Sequence, residues 1–422
     1  MKRWSLLALP AYFGIKVLAG LLLLKLSAAF LPVASFSVFS QFLLFAALLN
    51  MLAIGGAQNG LIRQFAATSA AGDHARIRNA GLAIWAGAVL ILGIPSILLA
   101  HPIAQFLAGE PGLWWVVPAV TLTTLLSGPG QIFCSMLTGF GRMAASLMAQ
   151  ALGLAVSTAG AMIGLIHHDA ASAVVAFSAG PLVTLLMAGW MVRRHHVPRG
   201  ALDHVLGEVR LLLGYSAAFA ILAVLNAAIP FALRYLYRDA FGAEQLSYWM
   251  AASRVSDTTT QLMALYLVQL FIPRYAAAEG EKRERALRES WLTASGIMLG
   301  FLLVFAVASH LLVRLFLARS FLPATPFILG YMTGDIFRAT VATAMYAAFA
   351  RARLARYVLL EAGALTLFAA IMIGLISLGR ADAPMIAYPL AYVLCAVGIW
   401  IAHAVSRFSR PAPESFARSG DG

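Results

Sequence analysis
Six charged side chains lie in apolar stretches that offer them no ordinary surface. Lys16 sits near the middle of LLALPAYFGIKVLAGLLLLKLSAAF (6–30), Arg254 and Asp257 in 247–272, Asp335 and Arg338 in 326–349, and Glu361 in 357–378. A charge at the depth of a bilayer centre costs roughly 2.5 kcal/mol or more, so these groups must face a bundle interior or water. The cations suit an anionic ligand: lysine offers a mobile point charge, and arginine a planar fork that matches phosphate. The acids suit proton relay or ion coupling. With a rise of about 1.5 Å per residue, all but Glu361 fall about 10–18 Å from a span end. Arg254 with Asp257, and Asp335 with Arg338, are spaced i,i+3 and share a helix face. Two readings follow: the pairs neutralise each other for insertion, or they line a water-filled cavity. Glu361, about a turn and a half from its span end, either snorkels or joins that cavity. Lys25 lies about 180° round the helix from Lys16 and can snorkel to an interface, where Arg234 and Arg238 read as anchors.

The elements that must position these groups are membrane helices. Of 422 residues 61% are hydrophobic and 11% charged, far too little polar surface for a soluble chain of this length. The apolar runs are long and lack strand alternation, so the spans are helical. Twelve can be drawn: 5–29, 37–61, 79–100, 113–137, 144–166, 172–192, 211–236, 247–272, 290–313, 326–349, 357–378 and 384–405. The start, MKRW plus an apolar run, mimics a signal peptide, but Lys16 and the lack of a small-x-small cleavage site favour a retained first helix. Alternate connections are basic (Arg76 and Arg78, Arg142, Arg193 to Arg210, Lys282 to Arg288, Arg351 to Arg356), and the opposite set is nearly empty. That asymmetry places both termini in the cytoplasm. It also accounts for most of the net charge of +13 without nucleic acid. Cys134 and Cys395 both fall in spans, which disfavours a disulfide or metal site. His167-His168-Asp169 lacks a fourth metal ligand. No Walker A sequence is present, so ATP is not the expected driving force.

The two halves resemble each other. Arg63-Gln-Phe-Ala-Ala after span two matches Arg274-Tyr-Ala-Ala-Ala after span eight, and MLTGFGRMA (136–144) matches MYAAFARAR (345–353), both at an offset near 210. Two matches at one offset indicate a six-plus-six duplication, with a substrate site between the halves and alternating access by rocking. The expected divisions are an N-terminal lobe 1–192, a cytoplasmic linker 193–210, a C-terminal lobe 211–406 and a cytoplasmic tail 407–422. At this offset Asp335 and Arg338 correspond to Leu126 and Pro129, so the C-terminal half carries the midplane charge pairs. The N-terminal half contributes Lys16 and a break in span four at Ser127-Gly128-Pro129-Gly130. Gln41, Asn50, Asn59, Gln150, Asn226 and Gln261 can line a sugar path or serve as interhelical hydrogen bonds.

Along its whole length the chain resembles Wzx-type flippases of the polysaccharide-export branch of the MOP superfamily, those of enterobacterial common antigen and O-antigen units in particular. The resemblance rests on the order of short matches: Lys16 to Lys25; Gln58-Asn59-Gly60-Leu61-Ile62-Arg63; Gly139-Phe140-Gly141-Arg142; Trp249 through Ser256-Asp257; Gly334-Asp335-Ile336-Phe337-Arg338; and Leu360-Glu361. It implies a V-shaped, two-lobed fold in the bacterial inner membrane that moves undecaprenyl-pyrophosphate-linked oligosaccharide between leaflets. Arg254 departs from the family, whose nearest members have a small polar residue there. Together the two lines of argument assign substrate contact to Lys16, Lys25, Arg63, Arg254 and Arg338, and ion coupling to Asp257, Asp335 and Glu361. No cofactor is expected beyond a proton or sodium gradient. The expected partners are the lipid-linked glycan, membrane lipid and, for a monomeric flippase, a polysaccharide polymerase and chain-length regulator. A MATE-like exporter of small molecules is the alternative; a membrane polymerase or glycosyltransferase would need a catalytic outer loop, and the outer connections are short.

Overall fold
The computed structural model describes residues 3–54, 57–68, 71–193, 205–351 and 353–408. Most of the expected linker 193–210 and nearly all of the tail 407–422 lie outside the described residues. The described chain is almost wholly helical. The N-terminal half comprises α1 (Arg3–Phe30), α2 (Val33–Leu52), α3 (Gln58–Ala67), α4 (Ala71–Ala88), α5 (Ile94–Leu98), α6 (Ala100–Ala108), α7 (Val116–Leu126), α8 (Gly128–Gly139), α9 (Met143–Ile166) and α10 (Ala170–Arg193). The C-terminal half comprises α11 (Val205–Tyr266), α12 (Ile272–Ala277), α13 (Gly280–Phe316), α14 (Thr325–Ala350), α15 (Leu354–Ser377) and α16 (Ala383–Phe408).

Eight spans among the described residues are long and apolar enough to cross a membrane. The four expected spans outside that set fall on α1, on the two arms of α11 and on α14. These are the helices that carry Lys16 and Lys25, Arg234 to Asp257, and Asp335 with Arg338. Elsewhere the outer surface is apolar, with Val307 90% exposed and Leu98 77%, as a lipid-facing wall requires.

Local chemistry explains the departures from the expected spans. Spans seven and eight are the two helical arms of α11, which meet without a loop at Gly242, a non-helical residue whose φ of 86° only glycine adopts freely. Span two ends at Leu52, just before Gly55-Gly56 in the sequence, a pair that disfavours helix. Two π-helical turns, Val89–Gly93 and Leu267–Phe271, each precede a proline (Pro95, Pro273) that cannot donate to the preceding turn. Span four is interrupted at Ser127, and Trp85 Nε1 donates to the Leu125 carbonyl at the break.

One offset recurs in the backbone. α9 and α15 start and end 211 residues apart. The same offset relates Arg142 N–H donating to Leu137 O and Arg353 N–H to Ala348 O, and again Asp169 to Gly164 and Arg380 to Leu375. In that turn Asp169 Oδ1 accepts from the Ala171 N–H, and His168 packs against Phe30. These contacts give His168 and Asp169 structural work at a helix start.

The halves meet at the end of the bundle opposite the N-terminus of α1, here called the far end. The largest core of the C-terminal half takes in Leu24, Ala28 and Phe36 of the N-terminal half, and the N-terminal core takes in Phe231. Phe36 meets Phe321 edge-on at 4.9 Å, and Phe106 stacks on Tyr235 at 5.0 Å. Lys25 Nζ donates to the Arg314 carbonyl, and Arg254 Nη2 donates to the Ser40 carbonyl at 3.3 Å.

Candidate functional site
On the other side of that seal, a cavity of about 380 Å³ opens between α1, the second arm of α11, and α14 to α16. Its walls include Arg254, Asp257, Arg338 and Glu361, together with Gly20 and Leu24 of α1. It lengthens towards the terminal face, the end where the chain starts, because Tyr346 and Tyr357 also line it near the ends of α14 and α15. Lys16 is exposed and lies one turn before Gly20 and two before Leu24, on the same face of α1. That places it at the mouth of the cavity.

The two i,i+3 pairs are not ion pairs. Among the described residues no carboxylate lies within 4.0 Å of Arg254 or Arg338. Arg254 reaches across to Ser40 while Asp257 is exposed to the cavity. Asp335 is 1% exposed and turned into the protein, where Ser256 Oγ and Tyr388 OH donate to its two oxygens at 2.7 Å each. Arg338 Nη1 donates to the same Tyr388 hydroxyl at 2.9 Å, and its guanidinium lies 5.7 Å from the centre of the Tyr392 ring. Asp335 is thus joined to Arg338 through Tyr388 and is not a wall of the cavity, against the expectation of a lumen acid. The physical reason is angular: residues three apart on α14 differ by about 60° around the axis, enough for one to face α16 and the other the opening.

Lys25 and Arg63 also stand apart from the cavity. Lys25 belongs to the far-end seal, and Arg63 is exposed on α3. Arg234 is not an interfacial anchor. It is 8% exposed, with its guanidinium 5.8 Å from the Trp249 ring centre. Of the uncharged polar residues, Gln261 lines the cavity. Gln150 accepts from Tyr12 OH, Asn226 donates back to Leu222 O, and Gln41 is buried. The Asn59 side chain lies outside those described.

Sequence reasoning missed the tyrosines. Tyr388 and Tyr392 are spaced i,i+4 on α16 and present one face, a signal available in the sequence. Tyr331 stacks on Tyr388 at 4.1 Å and accepts from Trp249 Nε1, so the hydroxyl that holds Arg338 is itself fixed by packing. The close approach of α14 to α16 depends on glycine: a Cβ at Gly334 would lie 2.4 Å from Tyr388 Cδ1 and 3.1 Å from the Pro389 Cα. The result is a water-accessible pocket with two fixed guanidinium groups, a lysine at its mouth, one exposed and one half-buried carboxylate and an aromatic wall. It can hold a compact anion, and its acids can exchange a small cation with the solvent.

The chain matches the model of a family described as "Polysaccharide biosynthesis protein" over residues 27–326. No curated protein matches it in sequence. Among solved structures it is similar to "Lipid II flippase MurJ, inward closed conformation", with TM-score 0.74, 11% identity, and 95% of this chain and 87% of that one covered. It is similar to an inward-facing multidrug resistance MATE family transporter of the MOP superfamily at TM-score 0.71, with 14% identity and coverage of 94% and 96%. The outward-facing MATE structure matches at 0.57, with 14% identity and 96% of each chain covered. These likenesses show that the chain shares the fold of these structures.

Proposed function
This chain belongs to the polysaccharide biosynthesis protein family, and within it we propose that the protein is a flippase for undecaprenyl-pyrophosphate-linked oligosaccharide in the bacterial inner membrane. The observation that carries this reading is the meeting of Arg254 and Arg338 in one cavity between the halves, with Lys16 at its mouth. A pyrophosphate taken out of water needs several cations at close range, where the lower dielectric strengthens each contact. Arg338 offers the fork that Tyr388 does not occupy, Arg254 a second, and Lys16 a mobile charge that meets the headgroup first. Lys25 is assigned to the seal, and Arg63 to the surface.

The terminal face is read as cytoplasmic from the Arg and Lys distribution, so the cavity opens towards the leaflet where lipid-linked units are made. The better fit to an inward-facing than to an outward-facing MATE family structure supports the same state. Orientation is checked by thiol accessibility. Cysteine at Ala278 should react only with membrane-permeant reagents, and cysteine at Gly112 from outside; the reverse pattern overturns the assignment.

Ion coupling falls to Asp257 and Glu361, the two acids that line the cavity, with Asp335 as the positioning residue for Arg338. This division makes Gly334→Ala informative. The added methyl displaces Tyr388 without removing a charge, an overpacking cost of about 1–3 kcal/mol that falls on the anion contact. Glycan display by a flippase-deficient strain should fall severalfold at matched protein level. Undiminished display would show that Tyr388 does not hold Arg338 for transport. The function itself is tested by complementation: the wild-type chain should restore display in a strain lacking its own flippase for the cognate glycan. Failure with every lipid-linked glycan tried, despite correct insertion, would reject the reading.

A second reading draws on the same acids. Asp257 and Glu361 beside a tyrosine-rich wall also suit an organic cation, the substrate class of a MATE-like exporter. Drug resistance conferred by the chain and abolished by Asp257→Asn, with no effect of Arg338→Gln, would favour that alternative.

A further inference from the structure
A second cavity, of about 430 Å³, lies wholly within the N-terminal half, between α2, α3, α7, α8 and α10. Its volume falls in the range of about 300–1,000 Å³ typical of small-molecule sites. No charged residue lines it, so it cannot serve the pyrophosphate. Its polar groups have spare hydrogen-bonding capacity. Thr124 is 2% exposed, and its Oγ1 has no hydrogen-bond partner among the described residues. Gln131 Nε2 donates to both the backbone carbonyl and Oδ1 of Asn50, at 2.7 Å each. That leaves the Asn50 amide as an open donor and Gln131 Oε1 as an open acceptor. Pro181 has no N–H to offer the Phe177 carbonyl four residues back, and both residues line the cavity.

The feature does not belong to packing alone. A buried hydroxyl without a partner costs about 1–3 kcal/mol, and valine would fill the same volume at position 124 without that cost. The chemistry of the walls is mixed: the neutral donors and acceptors of Asn50, Thr124 and Gln131 stand among the Phe177 ring and the aliphatic side chains of α2. That is the pattern a pyranose requires, since it presents hydroxyls around its edge and C–H groups on its faces.

We propose that the N-terminal cavity, through Thr124, Asn50, Gln131 and Phe177, binds an uncharged pyranose residue of the glycan. The proposal rests on the flippase reading for the identity of the glycan but not for the existence of the site. It divides recognition between the halves: the C-terminal half holds the anion and the N-terminal half a neutral sugar. A substrate engaged by both would resist separation of the lobes, so sugar identity would influence the transition as well as binding.

The test uses the full chain in detergent and two soluble probes. Methyl glucoside is followed by saturation-transfer-difference NMR, and inorganic pyrophosphate by phosphorus line broadening. Thr124→Val should weaken glucoside binding about tenfold, the value of roughly one buried hydrogen bond, while the melting temperature stays the same or rises. Arg338→Gln should abolish pyrophosphate broadening and leave the glucoside signal intact. No transfer to glucoside in the wild type, or equal transfer in Thr124→Val, overturns the proposal whatever pyrophosphate does. Glucoside binding that depends on Thr124 in a protein that fails to bind pyrophosphate sustains this site and rejects the flippase reading instead.

Discussion

Arg338→Gln is expected to abolish glycan delivery while the protein inserts and folds normally. The side chain keeps its length and a donor for the Tyr388 hydroxyl, so the aromatic packing around Tyr388 and Tyr331 has no reason to collapse. What is lost is a charge in a pocket where no carboxylate neutralises it directly. Truncating one partner of a buried charged contact costs about 2–5 kcal/mol, on the order of a hundredfold or more in affinity. Lys16→Ala should act in the same direction with a smaller effect, because Lys16 is exposed at the mouth, and Lys16→Arg should retain part of the activity. The double change Asp335→Asn with Arg338→Gln distinguishes this account from simple charge neutralisation. If neutralisation were the role of the pair, removing both would restore function. Because Asp335 reaches Arg338 only through Tyr388, the double variant should be as inactive as Arg338→Gln alone, as read by glycan display at equal protein level.

The second large effect concerns the far-end seal. In a background with Cys134 and Cys395 replaced by Ala, Lys25→Cys and Arg314→Cys are joined by a reducible bifunctional thiol reagent of about a lysine's length. Lys25 already spans that gap to the Arg314 carbonyl, so the bridge should form without distortion. It should stop transport completely by holding the cavity open to one side, and reduction should restore the rate of the unlinked variant. Both sites are polar and outside the buried core, so the substitutions alone should be tolerated. Full transport with the bridge intact would mean that the far ends need not part, and alternating access by separation of the halves would be wrong.

Much of this was legible in the sequence, and the exceptions have physical causes. The charges at positions 16, 254, 257, 338 and 361 announced a polar interior because lipid tolerates them so poorly, and four of the five line one cavity with Lys16 at its entrance. The helical character, the break at Ser127 and the repeat offset followed from hydropathy, Pro and Gly placement and self-similarity. Spacing alone could not show which face of α14 each charge takes. An i,i+3 pair is close enough to pair, yet Gly334 lets α16 approach so closely that Tyr388 inserts between Asp335 and Arg338. The tyrosines escaped notice because an aromatic residue in a membrane span reads first as packing. Lys25 drew attention for its charge, but its partner is a backbone carbonyl 289 residues away, which no local pattern reveals.

The central claim is that the cavity between the halves carries a pyrophosphate-linked lipid across the membrane through Arg338. It is tested most directly in proteoliposomes containing a fluorescent undecaprenyl-pyrophosphate-linked sugar, with translocation read by quenching from one side under an imposed proton or sodium gradient. The account predicts rapid movement with the wild-type protein, none with Arg338→Gln, and little movement of the corresponding monophosphate-linked lipid. Equal rates for wild type and Arg338→Gln at equal reconstitution would contradict it.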